Sequence, residues 1–393
     1  MDLSVTAVII TILGTIVAGI VVFLPGWFEL RRPKDDAPLY IDEEYQVSPF
    51  FIGDSFYNLL ESILPKSLPR GKSRHVLSLP LATGDNLYKV PESGNETVVD
   101  VVSGDHICPE GLSHQADDMF CVYGDLYSGT DTRLLKEAYV QGSASLGENS
   151  RLSSMFCGGN LTLDKNSSVA GWIDVRGIDF FAGEGCTLGY KTACKGNMRL
   201  SRNTTFFHVF AVPLRTYSTR SLRASSARDN FVLPELLLHK ERRLETSAGD
   251  AGYRKTGRGI VIKDNVVVYS NIVSDGHVVI GENCEIRGSV IAHKGLLIKA
   301  HARVLGDVKS RRDICMEENA VVFGHVLADG KIVLRKDCEV QGNIFSQRDI
   351  TINSGCIVGR RGTTRSVVAR DIITLHSDVA IYGRLSCLRG MVV

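Results

Sequence analysis

The sequence predicts an all-β protein: a triangular parallel β-helix of about 18 residues per coil, preceded by one N-terminal transmembrane helix. Three observations carry this reading. Gly288, Gly306, Gly324 and Gly342 recur every eighteen residues. Between them, apolar or small residues fall in pairs two apart, and the pairs recur every six, as in Val290/Ala292, Leu296/Ile298 and Ala302/Val304. Finally, Val5–Leu24 runs for twenty residues without a charge.

The N-terminal element rests on length. About twenty apolar residues span the hydrocarbon core of a bilayer. Trp27 fits the interfacial belt, and Arg31, Arg32 and Lys34 follow, whereas only Asp2 carries charge ahead of the stretch. The positive-inside rule then places the bulk of the chain in the cytoplasm, on a single-pass inner-membrane anchor at residues 1–30. Residues 31–118 lack the repeat. Within them Pro49–Leu64 contains a short amphipathic helix, starting near Asp54 and carrying Phe56, Tyr57, Leu60 and Ile63. That helix can dock on the solenoid, lie on a membrane or bind a partner. The β-rich, turn-broken stretch 75–118 is expected to cap the first coil, because a repeat array needs its end covered.

The solenoid itself is assigned to 119–393. Residues at i and i+2 share one side of an extended strand, so three short strands and three corners make one coil. Positions eighteen apart repeat a size class. One column reads Ile272, Val290, Val308, Val326, Ile344; a uniformly small one reads Ser274, Ala292, Ser310, Ala328, Ser346; a third reads Cys284, Ala302, Ala320, Cys338, Cys356. The corner before that third column reads Asn283, His301, Asn319, Asp337, Gly355, residue types that accept left-handed backbone. Upstream the pairs continue from Phe120/Val122 through Thr204/Phe206 and Phe210/Val212. The total is about twelve coils, or a rod of roughly 55–60 Å. Residues 213–257 interrupt the pairs and read as an insertion on the side of a continuous rod. They are a candidate partner arm, with Arg215, Arg220 and Arg223 in the first half and Leu236 and Leu237 in the second. The last coil stops part-way, leaving Leu385, Cys387, Met391 and Val393 as an open self-association face, because unpaired strand edges template further pairing.

Composition narrows function. A net charge of +1 provides no field for nucleic acid. Ten cysteines show no CxxC spacing, and Cys157, Cys284, Cys338, Cys356 and Cys387 fall on inward positions, as buried free thiols would. The histidines His277, His293, His301, His325 and His376 occupy different corners and sides of the unrolled coil, and no phosphate loop or nucleophile elbow occurs. No cofactor is implied, and the chain reads as a non-enzyme.

The repeats GNIFSQRDITINSGCIVG (342–359) and GHVLADGKIVLRKDCEVQG (324–342) resemble the bactofilin family of bacterial cytoskeletal proteins. The resemblance is good over 258–393, looser over 119–212 and absent from 1–118. It implies a right-handed coil, end-to-end assembly with copies of itself without nucleotide, and recruitment of envelope-synthesis or polarity proteins. Here that would be a scaffold at the cytoplasmic membrane. The alternatives are a hexapeptide-repeat acyltransferase, suggested by VVIGENCEIRGSVI (278–291), and an exported adhesin-like solenoid.

Overall fold

The computed structural model describes residues 48–63, 71–78, 96–107, 115–116, 118–217, 242–244, 254–256 and 259–393. From Pro49 onward the chain is one compact unit. It is a parallel β-solenoid of about 14 turns with the eighteen-residue spacing. At the strand spacing, that makes a rod of roughly 65–70 Å.

The inward columns pack as their size classes require. Val290, Val308, Val326 and Ile344 are fully buried, and so are Ala302, Ala320 and Cys356. Each strand triplet pairs in parallel with the triplet eighteen residues on, as Val290–Ala292 does with Val308–Ser310. Corners turn through left-handed residues: Asn283, His301, Asn319 and Asp337 have φ between 54° and 59°, and Gly355 has φ 78°. The same corner recurs upstream at Asp131, Asn149, Asn166 and Asn203. Neighbouring coils are also laced through side chains at another corner. Asn271 Oδ1, Ser289 Oγ, Asp307 Oδ1, His325 Nδ1 and Asn343 Oδ1 each accept the backbone N–H at the equivalent position of the next coil, at 2.7 to 3.0 Å.

The solenoid begins earlier than residue 119. Glu96–Ser103 already stacks in parallel on Met119–Tyr123, and Gly71–Ser78 lies antiparallel along its outer edge. The twenty-residue step from Val102 to Val122 breaks the period there and hides this coil from a periodicity reading.

The rod is not continuous in chain order. The strand Thr205–Tyr217 pairs antiparallel with Ala380–Val392. The array formed by residues 96–217 therefore meets the array formed by 260–393 tail to tail. Three faces run through this seam. Leu214 opposes Ile381 on one, Val209 opposes Leu385 on another, and Thr205 opposes Met391 on the third. The two arrays visit the faces in opposite order, as one helical sense requires when its axis is reversed. The expected side insertion at 213–257 thus has flanks at opposite ends of the second array. Tyr217 ends at the seam, while Arg242–Leu244 pairs with Ile260–Ile262 at the far end.

The transmembrane part of the expected fold is corrected. Among the described residues no helix is long and apolar enough to cross a membrane. The helix that is described, Phe51–Ile63, has thirteen residues and spans about 20 Å, short of the ~30 Å of a hydrocarbon core. Its apolar side is occupied by the solenoid. The single-pass inner-membrane placement is therefore not supported by any helix among the described residues. The residues on which that expectation rested (Val5, Leu24, Trp27, Arg31, Arg32 and Lys34) lie outside the described residues.

Candidate functional site

One outer face of the rod gathers the side chains that the core and corners do not use. In the first array its outward positions are unusually apolar. Val99, Val101, Met119, Cys121, Tyr139 and Phe156 are buried on the outside of the sheet, beneath Phe56 and Leu60 of the Phe51–Ile63 helix. The helix lies along the rod. Near its start, Phe50 meets Phe210 edge-on at 5.7 Å; further along, Phe56 meets Trp172 at 5.3 Å and Tyr57 stacks on Phe156 at 5.8 Å. Thirteen helical residues cover about four coil spacings of ~4.8 Å, which matches the four steps from Phe210 back to Tyr139.

An ion triad, buried at Asp174 and exposed at Asp54, fixes the helix. Arg176 Nε donates to Asp174 Oδ1 at 2.7 Å, and its Nη2 donates to Asp54 Oδ1 at 2.6 Å and to the Phe50 carbonyl at 3.3 Å. The guanidinium also sits over the Phe50 ring at 4.7 Å. Asp174 is almost fully buried, and that burial pushes its carboxyl above the usual range while Arg176 pulls it back. Gly53 is what lets the helix come this close, because a Cβ there would meet the Asp174 Cβ at 2.7 Å and its carboxylate closer still.

At the seam the same face becomes basic. Trp172, Lys191, His208 and Ser386 form one outward column, and Asp174, Ala193, Phe210 and Arg384 form the column beside it. His208 Nδ1 lies 2.8 Å from Ser386 Oγ, and Tyr190 stands edge-on to the imidazole at 5.0 Å. Burial, then the charge of Arg384, lowers Lys191 from the ordinary lysine value. Burial, then Lys191, lowers His208.

The expected self-association face is corrected by this geometry. Leu385 and Cys387 are buried, Met391 is half-buried, and Thr205–Tyr217 covers the coil that carries them. Val393 is 41% exposed at the edge of this covered coil. The strand edge expected to be open is paired within the chain. Of the candidate arm, Arg215 is a seam residue paired with Arg199 and Ala380, and the neighbouring Tyr217 and Tyr382 raise its guanidinium above the usual arginine value. Arg220, Arg223, Leu236 and Leu237 lie outside the described residues.

The histidines of the second array do not converge. His277 and His325 each accept a backbone N–H from the next coil, His293 faces Asp275 at 3.2 Å, and His301 forms a left-handed corner. Sequence reasoning gave no role to Lys191, Asp174, Arg176 or His208. Their one legible signal is polarity at outward positions flanked by exposed-type aromatics, which periodicity alone does not rank. In comparisons with known proteins, no family model, no curated protein and no solved structure matches this chain.

Proposed function

We propose that the protein is a cofactor-independent structural rod of the bactofilin type, which assembles with copies of itself and holds partner proteins along its length. One observation carries the reading: a continuous apolar core runs from Val102 to Val392 through both arrays and across the seam, which supports a stiff rod over the described solenoid. The dispersal of the second-array histidines into corner and ladder roles supports a scaffold over an acyltransferase, whose chemistry needs an imidazole placed as general base in a cleft. With the C-terminal coil covered, self-association falls to the two outer ends of the rod. One is built around Glu96–Ile107, where Ile107 is 71% exposed on an edge strand. The other lies at Arg242–Leu244 and Arg254–Thr256. Fold alone does not give function, so the test is direct. Full-length protein carrying Ile107→Cys is expected to give crosslinked dimers under oxidising conditions and rod-like assemblies by electron microscopy. A protein that stays monomeric by sedimentation at every concentration, and yields no crosslink while folded, would overturn the proposal.

A further inference from the structure

The seam places basic and hydroxyl groups from two distant parts of the chain on one patch of outer sheet. Lys191 and His208 come from the first array, and Arg384 and Ser386 from the second. Lys191 neighbours His208 in register, His208 opposes Ser386, and Arg384 opposes Phe210 two residues along, at the next outward position. Neither Lys191 nor Arg384 has a salt-bridge partner among the described residues. The nearest acid, Asp174, is already engaged by Arg176 through two nitrogens. Lys191 and Arg384 are half-buried on one patch, and the one carboxylate whose charge reaches Lys191 is already held by Arg176, so the patch favours a supplied anion. The His208–Ser386 pair also keeps one donor in reserve. If Ser386 donates to Nδ1, the imidazole carries its proton on Nε2; if Nδ1 donates, the Ser386 hydroxyl is free.

We infer that this patch binds a doubly charged phosphate-type oxyanion, a phosphate monoester or inorganic phosphate, with Lys191 and Arg384 matching its two charges and the His208–Ser386 pair donating a hydrogen bond. A dianion fits better than a single carboxylate because two cations converge here, and charge-assisted hydrogen bonds to phosphate oxygens are among the stronger ones. Since the groups come from both arrays, occupancy clasps the seam. Binding and seam opening are then linked: a ligand that holds only the closed seam lowers the opening equilibrium by the factor 1 + [L]/Kd.

The experiment is native-state hydrogen exchange on the full chain, read at Thr205–Tyr217 and Ala380–Val392. Arms with inorganic phosphate, phosphoserine, or sodium chloride at equal ionic strength are compared. Phosphate or phosphoserine is expected to slow exchange at these strands about fivefold or more, and chloride is not. A markedly stronger effect of phosphoserine identifies an ester as the natural ligand, and an equal effect identifies free phosphate. Lys191→Met is expected to abolish the response while leaving phosphate-free exchange unchanged or slower, because it removes a like-charge contact. Arg384→Met provides the same loss from the other array. Equal slowing by chloride, or a phosphate response that survives both substitutions, would overturn the inference.

Discussion

The tail-to-tail seam predicts an energetic coupling between residues 184 positions apart. Phe206 is fully buried and sits directly opposite Gly390. A Cβ added at Gly390 would run into three carbons of the Phe206 ring. The ring has nowhere to go, so Gly390→Ala overpacks the seam and is expected to cost about 1–3 kcal/mol. Phe206→Leu alone removes buried carbons and costs roughly 1–2 kcal/mol at about 0.8 kcal/mol per CH2. Together the two changes relieve each other, so the double variant should be more stable than the sum of the singles by about 1 kcal/mol or more. A long array need not unfold in one step, so the assay should be local. The Asn203 amide donates to the Val392 carbonyl at 2.8 Å and the Val392 amide donates to Thr204 at 2.9 Å, and exchange at these two amides reports seam opening. In a rod stacked in chain order, Phe206 and Gly390 would stand about seven coils, or roughly 34 Å, apart. Additivity within about 0.5 kcal/mol would therefore refute the seam.

Four further outcomes follow from single sites. Gly53→Ala should loosen the docked helix: the gain of about 1 kcal/mol in helix propensity is outweighed by the clash with Asp174, and Trp172 fluorescence should shift towards a solvated indole; an unchanged spectrum with higher stability would contradict the close approach. Asn319→Val should cost about 1–2 kcal/mol, because a β-branched residue is forced into left-handed backbone, whereas Asn319→Gly should be close to neutral; equal midpoints in urea for all three proteins would rule this out. Burial is the leading cause that lowers His208 and His277 below the usual imidazole value of 6.5. The unfolded chain then binds protons more readily, so stability is full above about pH 6.5 and declines as pH falls through 6.5 towards the folded values; the His277→Gln variant should show a flatter decline between pH 7.5 and 5.5 than the parent. Burial pushes Cys121 and Cys157 up to about 12 and Cys315 and Cys387 up to about 11, so iodoacetamide at pH 8 should modify these four only after denaturation, as read by peptide mapping.

Much of the fold was legible because inward spacing and corner chemistry act locally. The columns through Val290 and Ala302 needed only size repetition, and the Asn283-to-Gly355 corner needed only tolerance of positive φ. The docked helix was legible as amphipathic, but its destination was not, since nothing in its periodicity names the outer sheet face as its partner. The ladder of Asn271, Ser289, Asp307, His325 and Asn343 was in plain view after each repeat glycine or its equivalent. It escaped notice because its members differ in type and share only an acceptor atom.

The reversal between the arrays escaped for a deeper reason. A pattern of inward pairs two apart reads the same whether neighbouring coils run parallel or antiparallel, so periodicity is blind to chain direction. What changes at the seam is subtler. Thr205–Tyr217 and Ala380–Val392 are both thirteen-residue strands, against three or so elsewhere in the second array. After Asn203, and again after Asp378, no further left-handed non-glycine corner occurs in the rest of that array. The inward register slips by one in each strand. Val209 and Ala211 point inward in place of Phe210 and Val212, and Gly390 and Val392 in place of Met391 and Val393. A one-residue slip turns every side chain to the other face. Here it carries Phe210 outward to meet Phe50, and it brings Gly390 inward beneath the Phe206 ring. A lost corner, a doubled slip and a large residue set opposite a glycine are thus the marks of two arrays closing each other's open ends, and the same closure brings Lys191 and Arg384 onto one surface.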